Sequence, residues 1–414
     1  MIAEILATGD EIRSGALVDS NSAHIAEALE RCGVAVVRHQ SVGDDLEELV
    51  PIIGEISHRA DIAVVTGGLG PTVDDRSAEA VAKACGVPLV LDARAMDDIK
   101  RFFEERGRPY SPSNQKQAML PQGSDALYNP VGTAPGFCIK IHRCSFFFLP
   151  GVPYEMKRML ADQVLPRIEK LQGGERRYYL VRTLSTFGLP ESMVGEKVEG
   201  VTNEFPEITL GLRAKFPEIQ VKLYLDTADA SAGEALLDKA TQWVSDRLGA
   251  HLFSLEGRSM ADEIGRLLMA RQATLAVAES CTGGLIGNWL TNSPGSSNYF
   301  RLSAVTYHNQ AKIDLLGVGE QTLIDHGAVS EETAMEMAQG VRRAGRSTYA
   351  VATTGIAGPD GGTDDKPVGT VCIAVATPER TRSRRLQFNF GRRLMNKRIF
   401  ATAALDMLRR ELVR

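Results

Sequence analysis

Short apolar runs in this chain end repeatedly on glycine-, hydroxyl- or acid-rich turns that lead into helices. Ile2 to Ala7 ends on Thr8-Gly9-Asp10-Glu11, and Ile62 to Val65 on Thr66-Gly67-Gly68. Thr274 to Ala278 ends on Glu279-Ser280-Cys281, and Tyr349 to Thr353 on Thr354-Gly355. Runs this short have strand length, and the segments between them carry the apolar spacing of helices. Alternating strands and helices predict an α/β fold with parallel strands and right-handed crossovers. Ligands in such sheets gather at the carboxyl ends of strands, so these turns are where chemistry is expected.

The length of 414 residues suits two or three domains. Composition and pattern divide it into a parallel-sheet domain over 1–171, a small α+β module over 172–256 and an α/β domain over 257–414. A net charge of -5 over this length gives no global pull toward nucleic acid or membrane. The start MIAEILATGDEI lacks the basic and apolar regions of a signal peptide, and no apolar run approaches a bilayer span. Six scattered cysteines without a C-x-x-C pair argue against a disulfide framework or a zinc site. A cytoplasmic location is expected.

In the first domain, the loop Gly67-Gly68-Leu69-Gly70-Pro71-Thr72 is read in two ways. Its backbone N–H groups could cradle a phosphate ahead of a helix expected from about Asp75. Asp10, Asp74 and Asp75 on the same rim would then hold a bridging divalent cation. Alternatively, the glycines only tighten a turn and the aspartates cap the helix. Glu155, two residues after Pro153 in the first turn of another helix, either faces this rim or only complements the helix dipole.

The middle segment reads strand (Arg177–Ser185), helix (Glu191–Val201), hairpin (Ile208–Phe216, Ile219–Asp226), helix (Ala232–Leu248), strand (His251–Ser254). This order suggests a split βαβ module. It holds no G-x-x-G loop and has more acids than bases, so a spacer or dimerisation role is expected over nucleic-acid binding.

The stretch from Ala278 to Lys312 concentrates reactive groups. Cys281 is expected at a helix start, where the dipole lowers a thiol pKa. Ser280 and Ser296 are capping candidates, and Ser297 follows a Pro-Gly turn where N–H groups could serve an oxyanion. From pattern alone, Ser297 and Cys281 stand level as nucleophiles. Gly283 and Gly284 allow either a ligand or a neighbouring strand to approach the backbone. Lys312 falls in the first turn of a helix capped by Asn309; dipole and burial both favour its neutral amine, as a general base for serine requires. Tyr307 could bond either partner. Thr354 and Gly355 share the rim, and the loop through Asp365 reads as a lid or subunit contact. Arg380 to Lys397 is basic, mostly as a solvated edge strand, with Arg392 or Arg393 available to a substrate phosphate.

GDEI, TGGLGPTVDD, NPVGTAPG and LPGVPYEM, in that order, resemble the molybdopterin-binding-type domain of the CinA (competence/damage-inducible) family. AESCTGG, PGSS, VTYHNQAK, GAVSEETA, TGIAGPDGGT and KPVGTV resemble its carboxyl-terminal domain. Departures are Ser77 for the usual threonine, His308 for serine or asparagine, and Arg392 for an acid. For the amino-terminal domain, the resemblance implies a nucleotide- or pterin-like ligand at Gly67, Gly68, Gly70 and Thr72. Some relatives hydrolyse ADP-ribose there with a divalent metal. For the carboxyl-terminal domain it implies a nicotinamide mononucleotide deamidase that needs no cofactor. The nucleophile falls on Ser297, the base on Lys312, and support on Ser280, Tyr307 and Thr354; Arg393 falls on the substrate-binding arginine. Small-molecule nucleotides and a second copy of the chain are the expected partners.

Overall fold

The computed structural model describes residues 1–173, 177–388 and 390–414. Asn389, within the basic stretch, lies outside them. Contacts divide the chain into two compact units, Met1–Leu180 with Leu225–Glu234, and Val181–Tyr224 with Ala235–Arg414.

The first unit is built on six strands: β1 (Ile2–Thr8), β2 (Ala35–Val42), β3 (Ile62–Thr66), β4 (Asp125–Leu127), β5 (Gly136–Ile141) and β6 (Cys144–Leu149). They lie in the order β2-β1-β3-β6-β5-β4. β1, β2, β3 and β6 run parallel, while β5 and β4 add antiparallel strands at one edge. That edge differs from the purely parallel expectation because β5 and β6 are joined by a tight turn at His142 rather than a helix. β3 is buried throughout, as its unbroken apolar run requires. Helices α1 (Ser20–Arg31) and α2 (Leu46–Arg59) begin at Asp19 and Asp45, whose carboxylates accept backbone N–H bonds. The helix after the glycine loop, α3 (Ser77–Cys85), begins two residues later than expected, and α4 (Pro153–Met159) has proline in its first turn.

β7 (Tyr178–Thr186), β8 (Ile208–Lys215), β9 (Glu218–Thr227) and β10 (Leu252–Ser254) form a sheet ordered β8-β9-β7-β10. With α5 (Glu191–Val198) and α6 (Ala230–Leu248) between them, this is the split βαβ topology read from the sequence.

The carboxyl-terminal sheet contains β11 (Leu275–Glu279), β12 (Phe300–Val305), β13 (Tyr349–Gly355), β14 (Thr370–Ala376) and β15 (Thr381–Gln387), ordered β12-β11-β13-β14-β15. β11 is parallel to both neighbours, and β14 and β15 are antiparallel. Alternate residues of β11 face opposite layers. Leu275 and Val277 join the cluster containing α7 (Met260–Ala270) and α11 (Arg393–Leu412). Ala276 and Ala278 pack with α10 (Glu331–Gly345). Two further helices are α8 (Leu285–Thr291) and α9 (Asn309–Leu316), and a shorter one spans Glu320–His326. The charged strand β15 is the sheet edge, and Arg382, Arg384 and Arg385 are exposed on it, as a solvated edge strand implies.

Small residues bring α10 close to the elements that carry the site. A Cβ on Gly340 would lie 2.0 Å from the Leu316 carbonyl oxygen at the end of α9. Gly340→Ala must therefore push α9 away. We expect a loss of about 1–3 kcal/mol in urea unfolding, typical of overpacking; an unchanged midpoint would show that α9 is not held there.

Candidate active site

β11 and β12 run side by side, and the chain leaving each enters the same cleft, whose volume is about 280 Å³. Glu279, the last residue of β11, is fully buried, and its carboxylate accepts the N–H groups of Ile286 (3.0 Å) and Gly287 (2.8 Å). It thereby caps α8, whose N-cap Gly284 has no side chain to do so. The intervening turn Ser280–Gly284 depends on left-handed backbone at Gly283 (φ 61°) and Gly284 (φ 88°). That turn is why α8 starts at Leu285 rather than at Cys281 as expected.

Ser280 therefore emerges at the strand end, and Lys312 reaches it from α9. Lys312 is buried, with 1% of the residue exposed. Its Nζ lies 3.2 Å from Ser280 Oγ, 2.8 Å from the Thr306 carbonyl and 3.3 Å from the Tyr307 carbonyl. Among the described residues no carboxylate forms an ion pair with it. Burial pulls its pKa below the ordinary 10.5, weakly opposed by nearby Cys281. A neutral amine has two N–H donors and one lone pair. The two carbonyls take the donors, which leaves the lone pair for the serine hydroxyl. α9 is capped by His308, whose Nδ1 accepts from Gln310 N–H (3.2 Å), so Asn309 is the first helical residue rather than the cap.

Ser297 is not brought to this lysine, which corrects the expected pairing. It lies in a short turn (Ser296–Asn298) preceding β12, whereas Lys312 and Ser280 follow the ends of β12 and β11. Because the strands are parallel, these are opposite ends of the sheet. The six residues of β12 lie between them, about 17–20 Å at 3.3 Å per residue. Cys281, a candidate nucleophile because a helix start would lower its thiol pKa, does not have that surrounding, since the helix begins at Leu285. The side chain is buried, and desolvation pushes its thiol up to about 12.

Tyr307, Thr354, Gly355 and Arg393 line the cleft, whereas Gly283 and Gly284, expected to face a ligand, are not among its lining residues. Thr354 is buried and donates to the Ala328 carbonyl (2.6 Å), while Thr353 and Thr282 share a hydroxyl bond of 2.8 Å beneath Ser280. Gly355 admits no side chain, because a Cβ would sit 2.5 Å from the Thr370 carbonyl oxygen. Arg393, the first residue of α11, donates to Tyr307 Oη (3.0 Å) and the Gly358 carbonyl (2.6 Å), whereas Arg392 is its exposed N-cap. The first half of the glycine loop, through Gly361, forms a wall of the cleft. The sequence reading missed Glu279, although a carboxylate closing an apolar strand just before two glycines is the signal for such a cap.

A second cleft of about 660 Å³ lies at the carboxyl ends of β1, β3 and β6. Gly67, Gly68, Gly70 and Thr72 line it, and a Cβ on Gly67 would meet the Thr8 carbonyl oxygen at 2.4 Å. The expected metal set at Asp10, Asp74 and Asp75 does not fit these positions. The Asp75 carboxylate accepts from Thr72 N–H (2.9 Å) and hydroxyl (2.5 Å), and Asp10 pairs with Arg13 (3.1 Å). Among the described residues no group of three or more His, Cys, Asp or Glu is placed to hold a metal. Sequence reading missed Asp44, whose pKa is raised by burial and by Asp10, Glu11 and Asp74, against a bond from the Asp10 N–H. It also left open Glu155, which is buried and takes a 2.8 Å bond from Asn129.

Fold and site together define a modular α/β protein with a buried serine–lysine pair at the carboxyl ends of its last sheet. Family comparison matches residues 257–412 to the CinA C-terminal domain, 181–254 to the damage-inducible protein CinA KH domain, and 4–170 to a probable molybdopterin binding domain. A CinA-like protein of Desulfosudis oleivorans is 52% identical over 413 residues, spanning 100% of both chains. One from Geobacter metallireducens is 43% identical over 409 residues, 99% of this chain and 98% of that one. The solved competence/damage inducible protein CihA from Agrobacterium tumefaciens is 38% identical, covering 38% of this chain and 98% of its own, with a TM-score of 0.36. The chain belongs to the CinA family. Among the described residues no helix is long and apolar enough to cross a membrane.

Lys312 carries a pH signature. Below its folded pKa, both folded and unfolded chains hold the proton and the burial penalty acts in full. Between that pKa and 10.5 the unfolded chain binds more protons, so stability rises with pH. Lys312→Met removes this rise. The unfolding free energy of the variant minus that of wild type should fall as pH approaches 10.5. A pH-independent difference contradicts the assignment.

Proposed function

We propose that the carboxyl-terminal cleft is an amidase that hydrolyses the carboxamide of nicotinamide mononucleotide to nicotinate mononucleotide and ammonia. Ser280 is the nucleophile and Lys312 its base. The observation that carries this reading is the 3.2 Å approach of the buried Lys312 amine to Ser280 Oγ, with two carbonyls taking its other valences. The substrate itself rests on the family resemblance.

Lys312 takes the Ser280 proton as Oγ bonds to the carboxamide carbon, and the carbonyl electrons move onto oxygen. N–H groups of the Ser280–Gly284 turn are suited to receive that oxyanion. As it collapses, the C–N bond breaks and Lys312 returns the proton to the departing nitrogen, releasing ammonia. Water, deprotonated by the same amine, then cleaves the acyl-serine ester to the acid. Arg393 keeps N–H donors beyond its bonds to Tyr307 and Gly358, and so suits the phosphate. Asp360, on the glycine-loop wall, offers negative charge to the cationic pyridinium ring. The amino-terminal cleft is read as a nucleotide or pterin pocket; no hydrolytic step is derived there.

Ammonia release from nicotinamide mononucleotide tests the reading. Ser280→Ala and Lys312→Met should each lower kcat by about 10³-fold or more in folded protein. Ser297→Ala and Cys281→Ala should stay within a few-fold of wild type. Turnover that survives Ser280→Ala but disappears with Ser297→Ala or Cys281→Ala would reverse the assignment.

A further inference from the structure

The carboxyl-terminal sheet has two edges, β12 and β15, and they are guarded unequally. β15 sets Arg382, Arg384 and Arg385 along its length, and such charges keep another strand from pairing there. β12 (FRLSAV) carries one charge, Arg301, and neither proline nor glycine. Arg301 is also the extra residue of a bulge, since Leu275 faces Phe300 while Ala276 faces Leu302. From Leu302 to Val305 the strand is regular.

Backbone groups of successive strand residues point to opposite sides. Thr306 donates its N–H to the Glu279 carbonyl (2.9 Å), so the groups of Leu302 and Ala304 face β11 and those of Ser303 and Val305 face outward. Among the described residues nothing bonds to these outward groups. Arg301, Ser303 and Val305 are exposed along the same edge. Free donors and acceptors in this order call for another strand, and the side chains indicate which one. Antiparallel pairing of β12 with its own copy, centred on Ser303, uses every outward position. Ser303 then meets Ser303, and Arg301 meets Val305. No like charges are opposed, and the arginine stem covers an exposed valine. Shifting the centre to Leu302 or Ala304 leaves Val305 or Arg301 facing beyond the strand.

We propose that β12 is the interface of a homodimer, in which two copies of the chain pair antiparallel through this edge and continue one sheet across both. The pairing also reaches the cleft. Because the two strands run oppositely, the turn entering one β12 (Ser296–Asn298) lies beside the chain leaving the other, which carries Tyr307 and Asn309 at the cleft. The second copy thus walls the mouth of the cleft and supplies no reacting group. That effect on turnover rests on the deamidase reading; the dimer itself does not.

Analytical ultracentrifugation of the full-length chain tests the interface without any substrate. Wild type should be a dimer with a Kd below about 10 µM. Val305→Arg should weaken it by about tenfold or more, because two-fold symmetry opposes arginines twice. Adding Arg301→Glu to that variant should restore the dimer, since each arginine at position 305 then faces an acid on the other copy. In turnover of nicotinamide mononucleotide, Val305→Arg should raise KM several-fold with kcat nearly unchanged, and the double variant should recover. A monomeric wild type, a dimer indifferent to Val305→Arg, or a double variant that stays dissociated overturns the interface. An unchanged KM in dissociated Val305→Arg protein overturns the walling of the cleft. A dimer that responds as stated but hydrolyses nothing supports the interface and fails the deamidase reading alone.

Discussion

The site depends on one amine held out of water without a counter-charge. A buried lysine beside a carboxylate would stay protonated and make an ion pair; Lys312 has backbone carbonyls and a serine instead. Desolvation then works against the charge with nothing strong to oppose it. The arrangement requires the chain leaving β12 to expose the Thr306 and Tyr307 carbonyls to the amine, and β11 to deliver Ser280 opposite them. Parallel pairing of β11 and β12 satisfies both requirements, because it sets the two chain exits side by side.

Close backbone approaches keep that geometry in place. α9, which carries Lys312, ends against α10 at a contact that only glycine allows, since any Cβ at Gly340 would overlap the Leu316 carbonyl. On the other side, Glu279 binds the first N–H groups of α8, so the turn bearing Ser280 is tied to the helix that follows it. Arg393 and Asn396, one turn apart on α11, hold the Gly358 and Ala357 carbonyls (2.6 and 3.1 Å). The glycine loop is thus fixed to a long buried helix. Three separate helices converge on one strand-end cleft, each anchored by a named contact.

Much of this was legible in the sequence. Strand-length apolar runs ending on polar turns gave the α/β class and placed Ser280, Tyr307, Lys312 and Thr354 on one rim. The error over Ser297 came from proximity in sequence. It precedes a strand that Lys312 follows, and for strands that run parallel this separates the two by the depth of the sheet. Strand direction, applied residue by residue, would have chosen Ser280. Cys281 was misjudged because two consecutive glycines with left-handed backbone insert a turn before α8, so the thiol does not sit at the helix start; burial is the main cause that raises its pKa, and the Glu279 carboxylate adds to it. The three aspartates of the amino-terminal rim look equivalent in sequence. They differ because Asp75 folds back onto Thr72, a local bond between residues three apart.

The chemistry of the cleft turns on the protonation of a single side chain, which can be read at that atom. Carbon-13 NMR of the lysine ε-carbon, assigned through Lys312→Met, gives the titration of Lys312 in the folded protein. A midpoint below 10.5 is expected, moving little in Ser280→Ala because burial causes the shift. A midpoint at or above 10.5 would mean that the amine stays charged, and Lys312 could not then serve as the base for Ser280.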